Sequence, residues 1–345
     1  MPASKELRKY IEEELPYRLL IEMYKDSRRS LKKLGRTLHI SHHTIAKTLN
    51  NLEQKYGLLY TLDIDTDKLG FSEGRVITIK FGNKPSHDFL KSRFQKDVFV
   101  QNAYLATGDF DLLLSVVGLT SRDFAAWQWK LRKELGEYKP HLKISTMNNF
   151  ILGFLPVRNE LIECTTAISD VEKKVLKLLN ENSRIKLSEL VKKSKTTQMK
   201  VIYALRRLKE EGIIKKFTTL TQNPEKRILS VHTITTAPTK TYSESLLKVV
   251  RELVTEDLHE ITSDYSIILD CVGAFDEICC GTFKNGEQLA KRGPDAYEQL
   301  LSAESPALEK AVLTDILFGK WPFHLDDYAR YKNQLKEIGL KQKEF

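Results

Sequence analysis

The chain has 345 residues, 41% of them hydrophobic and 29% charged, with 55 Lys and Arg against 46 Asp and Glu for a formal net charge of +9. That length suits two to four domains, each of roughly 70 to 150 residues, better than one core. The N-terminal stretch MPASKELRKYIEEEL lacks the apolar run of a signal peptide, and no segment approaches roughly eighteen uninterrupted apolar residues, so neither secretion nor a membrane span is expected.

In chain order, Pro16 can open a helix carrying Leu19, Leu20 and Met23, a second helix is expected from Ser30 to Leu38, and Ser41 caps a third. After Gly57, the run LLYTL, the acidic turn DIDTDK and Gly70 predict a two-stranded wing, which makes residues 1–70 a winged helix-turn-helix. Residues 71–155 change rhythm: strand RVITIKF, helix SHDFLKSRFQKD, strands VFVQNAYLA and FDLLLSVV, helix SRDFAAWQWKLRKEL and strand HLKISTMNNFIL. That β-α-β-β-α-β order predicts a ferredoxin-like sheet with its helices on one face. Gly153 to Thr166 reads as a connector.

The first pattern then begins again. SRRSLKKLGRTLHISHHTIAKTLNNLEQ from Ser27 and SRIKLSELVKKSKTTQMKVIYALRRLKEE from Ser183 align without a gap, an internal duplication. Ser169 and Glu172 form a capping-box pattern ahead of Val171, Val175, Leu178 and Leu179, and Gly212 with IIKKFTTL repeats the turn and wing, so residues 156–227 read as a second winged helix. Residues 228–321 repeat the α+β rhythm in ILSVHTITT, helix TYSESLLKVVRELV, HEITSDYSIILDCV, FDEICCGTF, a longer helical insertion and AVLTDILFG. Residues 322–345 read as a polar helical tail. The expected fold class is therefore α+β, with two winged helix-turn-helix domains alternating with two ferredoxin-like domains. Cys164, Cys271, Cys279 and Cys280 show no disulfide framework spacing and fit a reduced cytoplasmic protein, the adjacent pair reading as small core residues on a strand.

The periodicity assigns a buried stripe to the last helix of each repeat: Ile45, Ala46, Leu49 and Leu52 in the first, Val201, Ile202, Leu205 and Leu208 in the second. Outward lie Ser41, His42, His43, Lys47, Asn50 and Asn51 in one copy, and Gln198, Lys200, Tyr203, Arg206 and Arg207 in the other. Such groups reach bases and phosphates. Between Asp170 and Arg227 there are sixteen Lys or Arg against seven Asp or Glu, so the second repeat carries an excess as large as that of the whole chain. Charge concentrated on repeated helical units is the footprint expected of a polyanion binder, and double-stranded DNA is the expected partner.

DSRRSLKKLGRTLHISHHTIAKTLNNLEQKYGLL, the post-wing DIDTDKLGF and TGDFDLLLSVVG, in that order, resemble the Lrp/AsnC (feast/famine) transcription regulators. The second half resembles them through SRIKLSEL, LRRLKEEGIIKKF and GAFDEI. The resemblance implies that the helices from Ser41 and Thr197 enter the major groove. It also implies a small-molecule effector, often an amino acid, near the glycine turn of each effector domain, which points to Thr107, Gly108, Asp109 and Asp111, and to Gly273 and Asp276. Glycine at such a turn permits positive φ, and an acid beside it can receive an ammonium group. A tight turn with a capping aspartate is the structural counterpart of that reading. Tandem duplication implies an internal pseudo-dimer that can further self-associate.

HISHH offers His39, His42 and His43 as imidazoles, but without a carboxylate or cysteine at ligand spacing no metal or other cofactor is expected. The chain has no GxxxxGK, HExxH or GxSxG motif, and catalysis is not expected. The alternative is a fused enzyme similar to the siroheme decarboxylases of haem biosynthesis, which share the two-domain architecture and work as paired homologous subunits. For that chemistry the α+β domains offer His87, His141, His232 and His259 without a cluster. A third alternative turns one winged helix into a protein-binding surface.

Overall fold

The computed structural model describes residues 10–71, 73–221, 228–235, 265–283 and 307–320. A π-helical turn, Tyr10–Glu14, leads into α1 (Leu15–Lys25), with Pro16 in its first turn, then α2 (Leu31–Thr37) and α3 (His42–Tyr56). The Ser30 and Ser41 hydroxyls accept the N–H groups of Lys33 and Thr44, capping α2 and α3, and Gly57 ends α3 in the left-handed region at φ 57°. Strand β1 (Leu58–Ile64) follows. The first α+β unit comprises β2 (Arg75–Phe81), α4 (His87–Gln95), β3 (Val100–Gly108), β4 (Leu112–Val116), α5 (Ser121–Glu134) and β5 (Pro140–Leu152), in the expected order. The connector is partly helical, as α6 (Asn159–Cys164). The second head contains α7 (Asp170–Glu181), α8 (Leu187–Ser194), α9 (Gln198–Glu210) and β6 (Ile214–Thr221). Ser169 and Glu172 complete a reciprocal capping box on α7. The last four strands are β7 (Ile228–Thr235), β8 (Tyr265–Gly273), β9 (Glu277–Phe283) and β10 (Ala307–Phe318). The helix expected at TYSESLLKVVRELV, the helical insertion, His259 and the C-terminal tail lie outside the described residues.

The two sets of four strands close into one eight-stranded antiparallel barrel, β10-β3-β4-β2-β5-β8-β9-β7. The first half contributes β5-β2-β4-β3 and the second β10-β7-β9-β8, the same order by position. Closure comes from two cross-half seams, β3 with β10 and β5 with β8. Coverage of both faces explains why RVITIKF is buried almost throughout: Ile77 and Ile79 pack outward against Leu90, Phe94, Phe124 and Trp127, while Val76 faces inward with Tyr104, Leu113, Leu269 and Cys280.

The first wing departs from expectation. DKL forms a 3-10 turn (Asp67–Leu69) closed by Gly70 at φ 81°, so no second strand returns to β1. Instead the single strands of the two heads pair with each other, antiparallel from Leu58 opposite Thr221 to Ile64 opposite Ile214. A lone strand leaves unpaired backbone groups on its edges, and the duplicated copy supplies the missing partner.

The buried stripes are also corrected. The inward positions are Ile45, Thr48, Leu49 and Leu52 in α3, and Val201, Ala204 and Leu208, with half-buried Leu205, in α9. Ala46 is half-buried and Ile202 is exposed, because the stripe follows i, i+3, i+4 and i+7 from Ile45 and Val201.

Candidate nucleic-acid interface

The outward helices are positioned by a reciprocal junction. At the centre of the paired wings Thr61 faces Thr218, both fully buried; Thr61 donates to the Asn180 carbonyl (2.8 Å) and Thr218 to the Tyr24 carbonyl (2.8 Å). Ser27 N–H donates to the Phe217 carbonyl (2.9 Å) and Ser183 N–H to the Tyr60 carbonyl (3.0 Å). The two serine hydroxyls meet at 2.6 Å. Arg28 Nη1 donates to the Ser183 carbonyl and Arg184 Nη1 to the Ser27 carbonyl, each at 2.6 Å. Both guanidiniums also lie over a wing aromatic at 5.3 Å, Arg28 on Phe217 and Arg184 on Tyr60. Charge-assisted bonds of this kind, half-buried and crossed between copies, fix the heads against one another. The Ser-Arg dipeptide that opens both repeats is the sequence signal for this junction, although sequence reasoning assigned it no role.

On α3 the side chains of His42, His43, Lys47, Asn50 and Asn51 are exposed, as is the capping Ser41, and the two imidazoles lie 4.1 Å apart between ring centroids. His39 instead occupies the helix-turn-helix turn at φ 54°, a position matched in the second copy by Lys195 at φ 52°. Among the described residues no group of three His, Cys, Asp or Glu side chains could hold a metal ion.

On α9 Gln198, Lys200, Tyr203 and Arg206 are exposed. Arg206 pairs with Glu210 at 2.7 Å one helical turn on. Arg207 differs: it is half-buried and held by Glu211 at 2.7 Å and by buried Glu172 at 3.3 Å. The Glu211 hydrogen bond, then Glu172, raises its pKa further and fixes its charge. Arg207 therefore ties α9 to the capping box of α7 rather than reaching outward.

Of the residues expected to hold an effector, Thr107, Gly108, Asp109 and Gly273 lie at the cross-half seams, whereas Asp111 and Asp276 bond within their own halves. Gly108 (φ 144°) and Gly273 (φ 147°) end equivalent strands, and a Cβ there would collide with backbone of the other half: Lys310 at the first, Ile144 at 2.7 Å and Ser145 at the second. Asp109 N–H donates to the Lys310 carbonyl (2.9 Å) while its carboxylate accepts the Lys310 N–H (2.7 Å); at the second turn Ala274 N–H donates to the Ile144 carbonyl (3.0 Å). Thr107 pairs with Val312 in the β3–β10 ladder, and Asp276 N–H donates to the Ile234 carbonyl (2.8 Å). Buried Asp111 accepts the Phe81 N–H (3.0 Å) and faces Lys80 (3.3 Å) and Lys84 (3.0 Å). Burial pushes its carboxyl up, but these three bonds outweigh it and hold the pKa below the usual range. Gly108, Gly273, Asp109 and Asp111 thus serve strand pairing between and within the halves.

A feature without sequence signal is a cavity of about 690 Å³ between the wing pair and the barrel, lined by Gln101, Asn102, Arg158, Asn180, Phe318 and Lys320 among others. Lys320 Nζ donates to Thr61 Oγ1 and the Asn180 carbonyl, each at 3.1 Å, so the last described residue of the barrel reaches the centre of the wings. Burial lowers its pKa from 10.5 to about 8, with the Glu181 carboxylate opposing.

The winged helix-turn-helix DNA-binding family matches residues 168–215, which contain α7 to α9. The HTH-type transcriptional regulator FL11 of Pyrococcus furiosus is 30% identical over 105 residues, 30% of this chain and 68% of that protein. The chain belongs to the Lrp/AsnC family of transcription regulators. It is accordingly a DNA-binding protein whose helix-turn-helix carries that contact. Among solved structures, the siroheme decarboxylase NirDL superposes with a TM-score of 0.58 and 12% identity, covering 95% of this chain and 100% of that one. Its complex with an iron-uroporphyrin III analogue gives 0.57 and 12%, covering 94% and 99%. At that identity the likeness is one of fold. No helix among the described residues is long and apolar enough to cross a membrane.

Proposed function

We propose that this Lrp/AsnC regulator is a cytoplasmic, sequence-specific transcription factor that acts without catalysis. In this reading each chain is an internal pseudo-dimer of two winged helices and two ferredoxin-like units, and its two heads are unlike. The observation that carries the reading is the reciprocal junction of Ser27, Arg28, Ser183 and Arg184, which holds α3 and α9 in matched positions with their outer faces exposed. Bidentate Asn and Gln suit adenine edges, and Arg and Lys suit guanine and phosphate. A small-molecule effector, such as an amino acid, belongs to the reading too. The cavity beside Lys320 supports its placement there, because the glycine turns are occupied by strand pairing.

The test is the salt dependence of binding to duplexes selected from a random pool. Replacing Lys200 and Arg206 by Ala should weaken binding and reduce the slope of log affinity against log salt by about two phosphate equivalents, whereas Arg207→Gln should leave the slope unchanged. An unchanged slope in the double variant would remove α9 from the DNA.

The whole-chain fold likeness to a siroheme decarboxylase favours a second reading, a tetrapyrrole enzyme. His87 is paired with Asp315 at 2.7 Å on the surface, His141 is exposed, and His232 is buried against Ser230 at 2.8 Å, so these three sit in separate environments. A visible absorption spectrum of the protein mixed with siroheme decides: a shifted Soret band supports this reading, and an additive spectrum rejects it.

A further inference from the structure

The outer faces of the two recognition helices differ in kind. Five large apolar side chains are exposed among the described residues, and three of them sit on α9: Met199 at 74%, Ile202 at 39% and Tyr203 at 66%. Their spacing of i, i+3 and i+4 gathers them on one face, with Arg206 continuing it at i+7. The aligned positions of α3 are His43, Ala46, Lys47 and Asn50. Exposed apolar residues scattered singly carry no meaning, but a contiguous set on a helix that must enter a groove does. The same helix-turn-helix exposes Lys200 on this helix and Lys192, Lys193 and Lys195 on α8 and its cap, Lys193 paired with Glu189. Such exposed cations suit phosphates.

The major groove offers one apolar group, the 5-methyl of thymine. Resting on the DNA-binding reading above, we infer that α9 reads thymine methyls through Met199, Ile202 and Tyr203, whereas α3 reads hydrogen-bonding base edges through His43, Lys47 and Asn50. The half-site under the second head is then thymine-rich at its centre, and its specificity comes from desolvating methyls. The half-site under the first head does not depend on them.

Deoxyuridine keeps the Watson–Crick edge and the O4 acceptor of thymine and removes only the methyl, so it isolates this contact. Duplexes selected by the full chain are footprinted to assign each half-site to a head, then resynthesised with deoxyuridine in one half at a time. Substitution under the second head should weaken binding about fourfold for each contacted methyl, the equivalent of one buried methyl group. Substitution under the first head should leave affinity within twofold. The triple variant Met199→Gln, Ile202→Gln, Tyr203→Gln alters only exposed positions and should bind thymine and deoxyuridine duplexes equally. Selected duplexes whose affinity ignores deoxyuridine in the second half would overturn the inference and leave DNA binding intact, and the apolar face would then belong to a protein partner. Failure to select any duplex would overturn the DNA reading itself, and this inference with it.

Discussion

The inside and outside of the two heads have followed different rules. Where the copies meet, one set of contacts is made twice: Ser27 and Ser183, Arg28 and Arg184, Thr61 and Thr218, Gly108 and Gly273. Where they face outward, His43, Lys47 and Asn50 stand opposite Met199, Tyr203 and Arg206. An interface built from two copies of one element constrains both copies equally, since either change breaks the shared contact. An exposed helix face has no such partner, so its residues can diverge without loss of stability. Duplication thus fixes the frame and frees the readout.

The frame can be broken most severely at the seam glycines. Gly108→Ala and Gly273→Ala each place a Cβ against backbone of the opposite half at a positive φ, and each should cost on the order of 3 kcal/mol. Denaturant titration of both variants measures this. A neutral result at either position would show that the two seams are not equivalent.

Acid sharpens the comparison through a group found in one half alone. Burial, with the Lys310 ammonium adding to it, lowers His232 from 6.5 to about 4. Between those values the unfolded chain binds the proton and the folded one does not, so stability is full above about pH 6.5 and is lost as pH falls through 4. The loss is at most about 3 kcal/mol. His232→Asn should flatten that limb of the stability curve, and thermal melts from pH 7 to 4 check it. An unchanged slope would place the acid sensitivity elsewhere.

At the head junction, Arg28→Met and Arg184→Met should each destabilise by about 1.5 to 3 kcal/mol, the range for a hydrogen bond to a charged group. Because the bonds are crossed through Ser27 and Ser183, the double variant should lose less than the sum. Strict additivity in a double-mutant cycle would mean that the two arginines act independently.

Much of the frame was legible in the sequence. Ser41, Gly57, Ser169 and Glu172 carry cap chemistry that is local, so three of the helix ends and one capping box follow from a few residues each. The β-α-β-β-α-β order of the first half follows from alternation and helical spacing. The pairing of the wings is not legible because strand pairing is non-local: Leu58 to Ile64 carries no mark saying that its partner lies at Ile214 to Thr221. Ile202 was assigned to the core because an apolar residue adjacent to a stripe looks the same whether it points in or out. The outer residues of α3 were found through the stripe they oppose. In sequence Arg207 is indistinguishable from its neighbour Arg206; what sets it apart is Glu172, thirty-five positions away in the chain and beside it in the fold. The glycine turns were located, but their job at the cross-half seams required the partner strand. The Lys320 cavity left no trace, since its walls come from both halves.

In the proposed function one chain carries two unlike reading heads held in a single frame. Nuclease footprinting on a selected duplex, with the mass of the same complex determined by native mass spectrometry, tests it directly. The account predicts one chain protecting an asymmetric site made of two different half-sites, separated by a spacing set by the helical repeat of roughly 10 base pairs. Two identical half-sites, bound by two chains that each use only one winged helix, would contradict it.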